Sequence, residues 1–260
     1  MAFFQSIFYN VLLQFKMSLS RPMYRFTLIV SPIVNTMLIF EMFRKSNVSD
    51  AANYIVFGSG LMGLWSSITF SSIGDISRER YIGTLSTVYV APLNFNLTIF
   101  YRIIGNTILS SMAFLISIIS AHLFFKISMP IYHKYYFIIS FIMIIVSFSI
   151  ISMPISYLML ISRKSSLYMN MIEYPIFILC GFAFPTNKLP ALIRFISYVL
   201  TPTWTTKLLH ESLHKNLDIY QINHAFKETI LLNLIYCLFI LILWKHIDSQ
   251  VRKNATLEVV

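Results

Sequence analysis

The sequence predicts an all-α polytopic membrane protein with six transmembrane helices. It adds an N-terminal interfacial amphipathic helix and a re-entrant extracellular segment between the fifth and sixth helices. Three observations lead there. Hydrophobic side chains make up 57% of the 260 residues and charged ones only 12%, whereas soluble domains are about a quarter charged. Mean hydropathy is +0.72. The apolar residues gather in six runs, each long enough to cross a ~30 Å hydrocarbon core with tilt or with help from interfacial residues. At roughly 20 residues per crossing, this length leaves no room for a separate soluble catalytic domain.

Residues 1–22 carry no basic side chain before Lys16 and no small-residue cleavage site, which excludes a cleaved signal peptide. Phe4, Ile7, Phe8, Leu12 and Phe15, with polar Gln5, Asn10, Gln14 and Ser18 between them, fit a helix lying in the membrane interface. Spans are then expected at 23–42, 54–73, 103–125, 136–160, 169–186 and 229–244. A seventh apolar stretch, 189–200, is short and carries Arg194. A helix of that length reaches about 18 Å, so the segment is expected to dip into the membrane and return. Residues 23–248 thus form one membrane domain, and 249–260 a tail.

Six spans put both termini on one side. With the N-terminus inside, Lys16, Arg21, Arg25, Arg78, Arg80, Arg102, Arg163, Lys164, Lys245, Arg252 and Lys253 are cytoplasmic, eleven of the 20 basic residues. Five of the remainder (Lys188, Arg194, Lys207, Lys215 and Lys227) fall in the long fifth connection, which counts little towards orientation. Both termini are therefore expected in the cytoplasm and the chain in the cytoplasmic (inner) membrane. The net charge of +10 is spread over every connecting segment instead of one stripe, which points to membrane lipids and away from nucleic acid. Cys180 and Cys237 both sit in apolar runs and read as membrane-buried thiols.

Three motifs invite chemistry. Gly58, Gly60 and Gly63 spell GxGxxG but lie within an apolar span, where small residues serve close helix packing. His210, Glu211 and His214 form HESLH, two zinc ligands one turn apart with a general base beside them. A third ligand from another membrane helix is lacking, and the pattern reads better as a solvated amphipathic helix end. Glu173 is the one carboxylate inside a span. It is the intramembrane polar candidate, although it lies one turn from the predicted cytoplasmic end and can reach water there. Pro32, Pro154 and Pro175 interrupt spans and free backbone groups that neighbours must satisfy. A midplane almost empty of charge, and the lack of GxxxxGK[ST], leave no ion coupling and no P-loop. Energy for any uphill movement has to come from a partner.

The connection 74–102 reads GDISRERYIGTLSTVYVAPLNFNLTIFYR: mixed charge, an amphipathic middle, then Pro92. It resembles the cytoplasmic loop of ABC exporter permeases with the type-2 transmembrane domain, matched by Glu79, Arg80, Gly83, Thr84, Leu85, Ala91 and Pro92. A second match comes after the fifth span, at Gly181, Phe184, Pro185, Leu189, Pro190, Pro202 and Thr203. Where the family often has an Arg beyond the Pro-Thr, this chain has His210 and Glu211. The resemblance implies a permease with no cofactor of its own, paired with a second permease chain as homodimer or heterodimer. ATP and Mg are implied to be bound by separate ABC ATPase subunits. It also implies an ATPase-coupling loop at 79–92, a second cytoplasmic contact at Arg163 and Lys164, and an extracellular gate around 184–202. Exported cargo in such a family is a lipid, lipid-linked glycan, drug or peptide, and an apolar pathway suits an amphipathic one. The alternatives are an intramembrane zinc metalloprotease using HESLH, or a non-transporting immunity or assembly factor.

Overall fold

A computed structural model describes residues 2–44, 51–90, 94–127, 131–161 and 165–254. Among them the chain is helical throughout, and four helices are long and apolar enough to cross a membrane: Pro22–Phe43, Phe95–Phe125, Lys134–Leu160 and Ile219–Ile247. α1 (Ala2–Leu19) leads through a short joint into α2 (Pro22–Phe43). Pro22 opens α2, where a proline's missing N–H costs nothing and its φ is preset for helix.

A continuous helical run follows, built from α3 (Ala51–Asn53), a π-helical segment Tyr54–Gly58, α4 (Ser59–Ile68), a second π-helical segment Thr69–Ile73 and α5 (Gly74–Ile82). It is the axis of the bundle. Leu61, Leu64, Trp65 and Ile68 are wholly buried. The glycines of α4 and its entry let neighbours touch the axis: a Cβ at Gly63 would meet the Pro32 ring at 2.8 Å, and one at Gly58 the Phe182 carbonyl oxygen at 2.1 Å. A π turn displaces backbone bonds, and hydroxyls fill in. The Val56 carbonyl accepts from Ser117 at 2.8 Å and from Ser59 at 3.1 Å. Thr36 donates to Ser59 at 3.0 Å and accepts from Ser120 at 3.1 Å, so three helices share one hydroxyl chain.

α6 (Leu85–Val90) is short, and α7 (Phe95–Ser110) runs into α8 (Met112–Phe125) across Ser111 alone. The Asn94 side chain caps α7 by accepting from the Asn96 N–H at 3.2 Å, as an Asn at that position commonly does. This helix begins eight residues ahead of the expected span 103–125, because an Asn cap can start a helix before the hydrophobic run does. α9 (Lys134–Ile161) crosses next, then α10 (Ser165–Leu179). α10 stops at Leu179 and does not continue to 186, because Gly181 takes a left-handed backbone with φ 72°. A 3₁₀ turn (Thr186–Lys188), α11 (Ala191–Val199), α12 (Thr201–Leu213) and the long α13 (Ile219–Asn254) complete the chain.

α1 turns its polar side inward. Gln14 and Ser18 are buried while Leu12 and Leu13 are exposed, so the helix is bonded to the bundle and is more than an interfacial float. Exposed apolar residues on α2 (Phe26, Ile29, Leu38) and α13 (Leu234, Leu238, Ile242) form contiguous outer faces that water does not favour and lipid does.

Candidate functional site

Two polar regions lie at opposite ends of the axial run. From Tyr54 to Gly74 the helix rises by about 30 Å, so the α5–α6 loop and the cavity beside Tyr54 are separated by roughly a bilayer core.

The loop region rests on Asp75, buried near the start of α5. Arg21 and Arg78 both pair with its carboxylate, and Gln14 donates to it at 2.9 Å. Gln14 also reaches the Asn106 side-chain oxygen at 3.2 Å, Ser18 donates to the same oxygen at 2.7 Å, and Asn106 donates to Ser72 at 3.1 Å. One network thereby ties α1, the start of α2, the axial run and α7 together. Glu79 pairs with Arg102 of α7 at 2.6 Å. Arg80 is buried and donates to the carbonyls of Met159 and Leu160 at 2.8 and 2.6 Å, where a cation meets the negative end of α9. Two of the residues that the resemblance assigns to the coupling loop, Glu79 and Arg80, are thus turned back into the bundle.

Gly83 ends α5 with φ 79°. Its N–H bonds to the Arg80 carbonyl at 3.1 Å and the Thr84 N–H to the Glu79 carbonyl at 2.9 Å, the paired bonds of a Schellman motif. The chain then reverses, and Leu85 is wholly buried while Tyr81 (85%), Ile82 (62%) and Val90 (81%) stand out. An apolar knob is thereby held on a charged, well-anchored base. Ala91, Pro92, Arg163 and Lys164 lie outside the described residues.

At the far end, Gly181 repeats the same device. Its N–H bonds to Ile178, the Phe182 N–H bonds to Phe177 at 3.2 Å, and the Phe177 and Phe182 rings lie 6.3 Å apart, the apolar contact that accompanies this cap. Leu189 is buried and Pro190 caps α11 from an exposed position. Pro202 lies in the first turn of α12, and Phe184 is half-buried. Arg194 donates to the carbonyls of Asn187 and Leu189 at 2.5 and 2.8 Å. Ser197 donates to Leu179 at 2.5 Å, Thr203 to Ser197 at 2.6 Å and Trp204 to Tyr198 at 2.9 Å. These bonds make 179–204 a single knitted unit.

That unit, α12 and the start of α13 line an open cavity of about 690 Å³. Pro185 lies in its wall, and so do Tyr54, Tyr198, Trp204, Lys207 and His210. The Lys207 ammonium sits 4.1 Å from the Tyr198 ring centre and 4.4 Å from that of Trp204. Burial and then the charge of Arg194 lower its pKa. His210 is the reverse of a solvated helix end: it is 8% exposed and its ring lies 4.3 Å from that of Tyr54. Burial, with the nearby His214, pushes its pKa down to about 3, so its imidazole is neutral, and neither ring nitrogen has a hydrogen-bond partner among the described residues. Among the described residues no group of three His, Cys, Asp or Glu side chains is arranged to hold a metal.

Glu173 is not simply reaching for water. It is half-buried on α10 and accepts from Ser66 of α4 at 2.5 Å, so the one carboxylate within a predicted span is bonded to the axis. The Asp75 network and the cavity are both absent from the sequence reading. Gln14 and Ser18 at i, i+4 were a usable signal for the first. The cavity brings together Tyr54, Trp204 and His224 from distant segments, which no short-range pattern encodes.

No curated protein matches the chain. Residues 5–213 match the family described as ABC2_membrane, ABC-2 type transporter. The match runs from α1 to the end of α12, takes in the loop region and the cavity wall ahead of His214, and covers most of the chain, which therefore belongs to the ABC-2 type transporter family.

Proposed function

We propose that this multi-pass permease is the membrane subunit of an ATP-driven exporter, coupled through the α5–α6 loop to separate ABC ATPase subunits that bind ATP and Mg. The carrying observation is the pair Tyr81 and Ile82, exposed at the turn fixed by Gly83, with Val90 exposed at the end of α6. Three apolar side chains displayed on a rigid base suit a groove on a soluble partner. Glu79, Arg80, Thr84 and Leu85 transmit the partner's movement: Arg80 into the end of α9, Glu79 into α7 through Arg102, and Leu85 into the core. Pro92, Arg163 and Lys164 complete the partner face.

In this reading the run 54–73 and the helix α10 cross with the four long helices. The segment 184–202 closes the pathway on the outer side, and both termini are cytoplasmic in an inner membrane. A second permease chain, identical or related, completes the pathway, and the cargo is amphipathic or lipid-like. The family match and the all-helical fold support the transport role. The scarcity of charge within the predicted spans supports an external energy source.

The test replaces Tyr81 and Ile82 with Asp in the full chain, co-expressed with any ABC ATPase encoded beside it. Loss of co-purification, with unchanged thermal unfolding of the permease, is expected. Undiminished co-purification and undiminished ATP turnover would remove the loop from the interface.

A further inference from the structure

We propose that the joint between α1 and α2 binds one anionic phospholipid, its phosphate held by a cluster of cations and its acyl chains lying on the exposed apolar sides of the two helices. The inference stands on this patch alone and holds whether or not an ATPase drives the chain. Basic residues are dispersed along the sequence, but folding gathers four of them here: Lys16 from α1, Arg21 at the joint, Arg25 from α2 and Arg78 from α5. The Ser20 N–H bonds to the Lys16 carbonyl at 3.0 Å and the Arg25 N–H to the Arg21 carbonyl at 3.1 Å, so Lys16 and Arg25 stand within about a turn of the joint. Arg21 and Arg78 meet on one oxygen, Asp75 Oδ1.

One carboxylate therefore serves two guanidinium groups. Their side chains keep 19% and 33% of their surface accessible, so part of each planar fork stays open. A guanidinium has more N–H donors than a shared carboxylate oxygen can engage, and its geometry suits phosphate. Lys16 and Arg25 are exposed, and neither pairs with a carboxylate among the described residues. Four cations set against Asp75 alone leave the patch with positive charge in excess. A phosphodiester supplies the missing negative charge.

The flanks decide which kind of anion fits. Leu12, Leu13 and Leu19 of α1 and Met23 and Phe26 of α2 are exposed around these cations. A free phosphate, or an acidic surface on a soluble partner, matches the charge and leaves the apolar side chains in water. Acyl chains cover them. An anionic headgroup carried on two apolar tails meets both halves of the patch at once.

The purified full chain in detergent is titrated with phosphatidylglycerol and, separately, with phosphatidylcholine, and bound lipids are counted by native mass spectrometry. One phosphatidylglycerol per chain should bind ahead of any other, with no matching step for phosphatidylcholine. Lys16→Gln combined with Arg25→Gln should weaken that first step roughly 30-fold, the effect of losing two cations beside an anionic headgroup. Both side chains are exposed, so their removal leaves the core untouched. Phe26→Ser keeps every charge and should also weaken it, because part of the seat for the tails is gone. Lys245→Gln removes an exposed cation next to Trp244 on α13 and should change nothing. A first step indifferent to the double substitution, equal weakening by Lys245→Gln, or displacement of the lipid by an equal concentration of inorganic phosphate would overturn the site.

Discussion

At the scale of single residues, Gly83 and Gly181 do the same job under different constraints. Each ends a helix with a left-handed backbone, which disfavours a side chain by about 1–2 kcal/mol. A Cβ at Gly83 meets nothing within 4 Å, whereas one at Gly181 meets Thr186 Cγ2 at 2.7 Å. Gly83→Ala should therefore cost about 1 kcal/mol and Gly181→Ala distinctly more, read as the shift in thermal unfolding of the purified chain. Equal shifts would mean that the packing at Thr186 gives way freely. His210 supplies a second prediction. Its folded pKa of about 3 lies below the ordinary 6.5, so the unfolded chain takes up a proton that the folded chain refuses. Its contribution is complete above about pH 6.5 and is lost as pH falls towards 3. Between pH 7 and pH 5 the loss is about 2 kcal/mol. His214, Glu211, Lys207 and His224 line the same cavity. The diagnostic is thus the difference in slope between wild type and His210→Phe, and parallel slopes would count against a buried neutral imidazole.

At the scale of elements, α1 shows what a sequence pattern says and what it withholds. The spacing of Leu12 and Phe15 against Gln14 and Ser18 reveals an amphipathic helix. It cannot say which side meets the protein, because in a bilayer both lipid and core are apolar. The structure turns the polar side inward, where Gln14, Ser18, Asn106 and Asp75 bond to one another. Asp75→Ala would take the acceptor from Arg21 and Arg78 and leave Gln14 with Ser18 and Asn106 alone. Because both cations keep some access to water, the cost lies near the low end of the about 3–5 kcal/mol for a broken buried pair. The expected result is undocking of α1, detected as new trypsin cleavage after Lys16 within it, with α2 to α13 still resistant. Unaltered protection there would show that apolar contacts alone hold the helix. The π-helical segments at either end of α4 are illegible for another reason: one shifted bond in a helical ladder leaves composition unchanged, and only Ser59, Ser117 and Thr36 around it hint that backbone groups need partners. Leu179 as the end of α10 was legible only in retrospect, since Gly181 sits within an apolar run that hydropathy alone carries on to 186.

At the scale of the whole molecule, hydropathy was enough to identify an all-helical membrane protein, because lipid leaves the backbone few other options. The same logic predicts how the two thiols behave. Cys180 is buried in the bundle and Cys237 lies on the exposed apolar face of α13. If that face meets lipid, a water-soluble maleimide should label neither thiol in nanodiscs and both after denaturation. Rapid labelling of Cys237 in nanodiscs would instead place that face along a water-filled route. α13 has a further property. Its 36 residues make a rod about 54 Å long. One end carries Tyr220, Gln221 and His224 in the cavity wall. Further along, Trp244 packs 6.1 Å from Phe95 and 5.6 Å from Tyr157, in the neighbourhood of the Glu79–Arg102 pair. Asn233 pins the middle by donating to Ser147 at 3.0 Å. Buried Ile222 and Ala225 near one end and Ile240 and Ile247 towards the other seat the rod along its length. The cavity wall and the surroundings of Phe95 and Tyr157 are therefore two ends of one unbroken helix, with no loop between them to absorb a displacement.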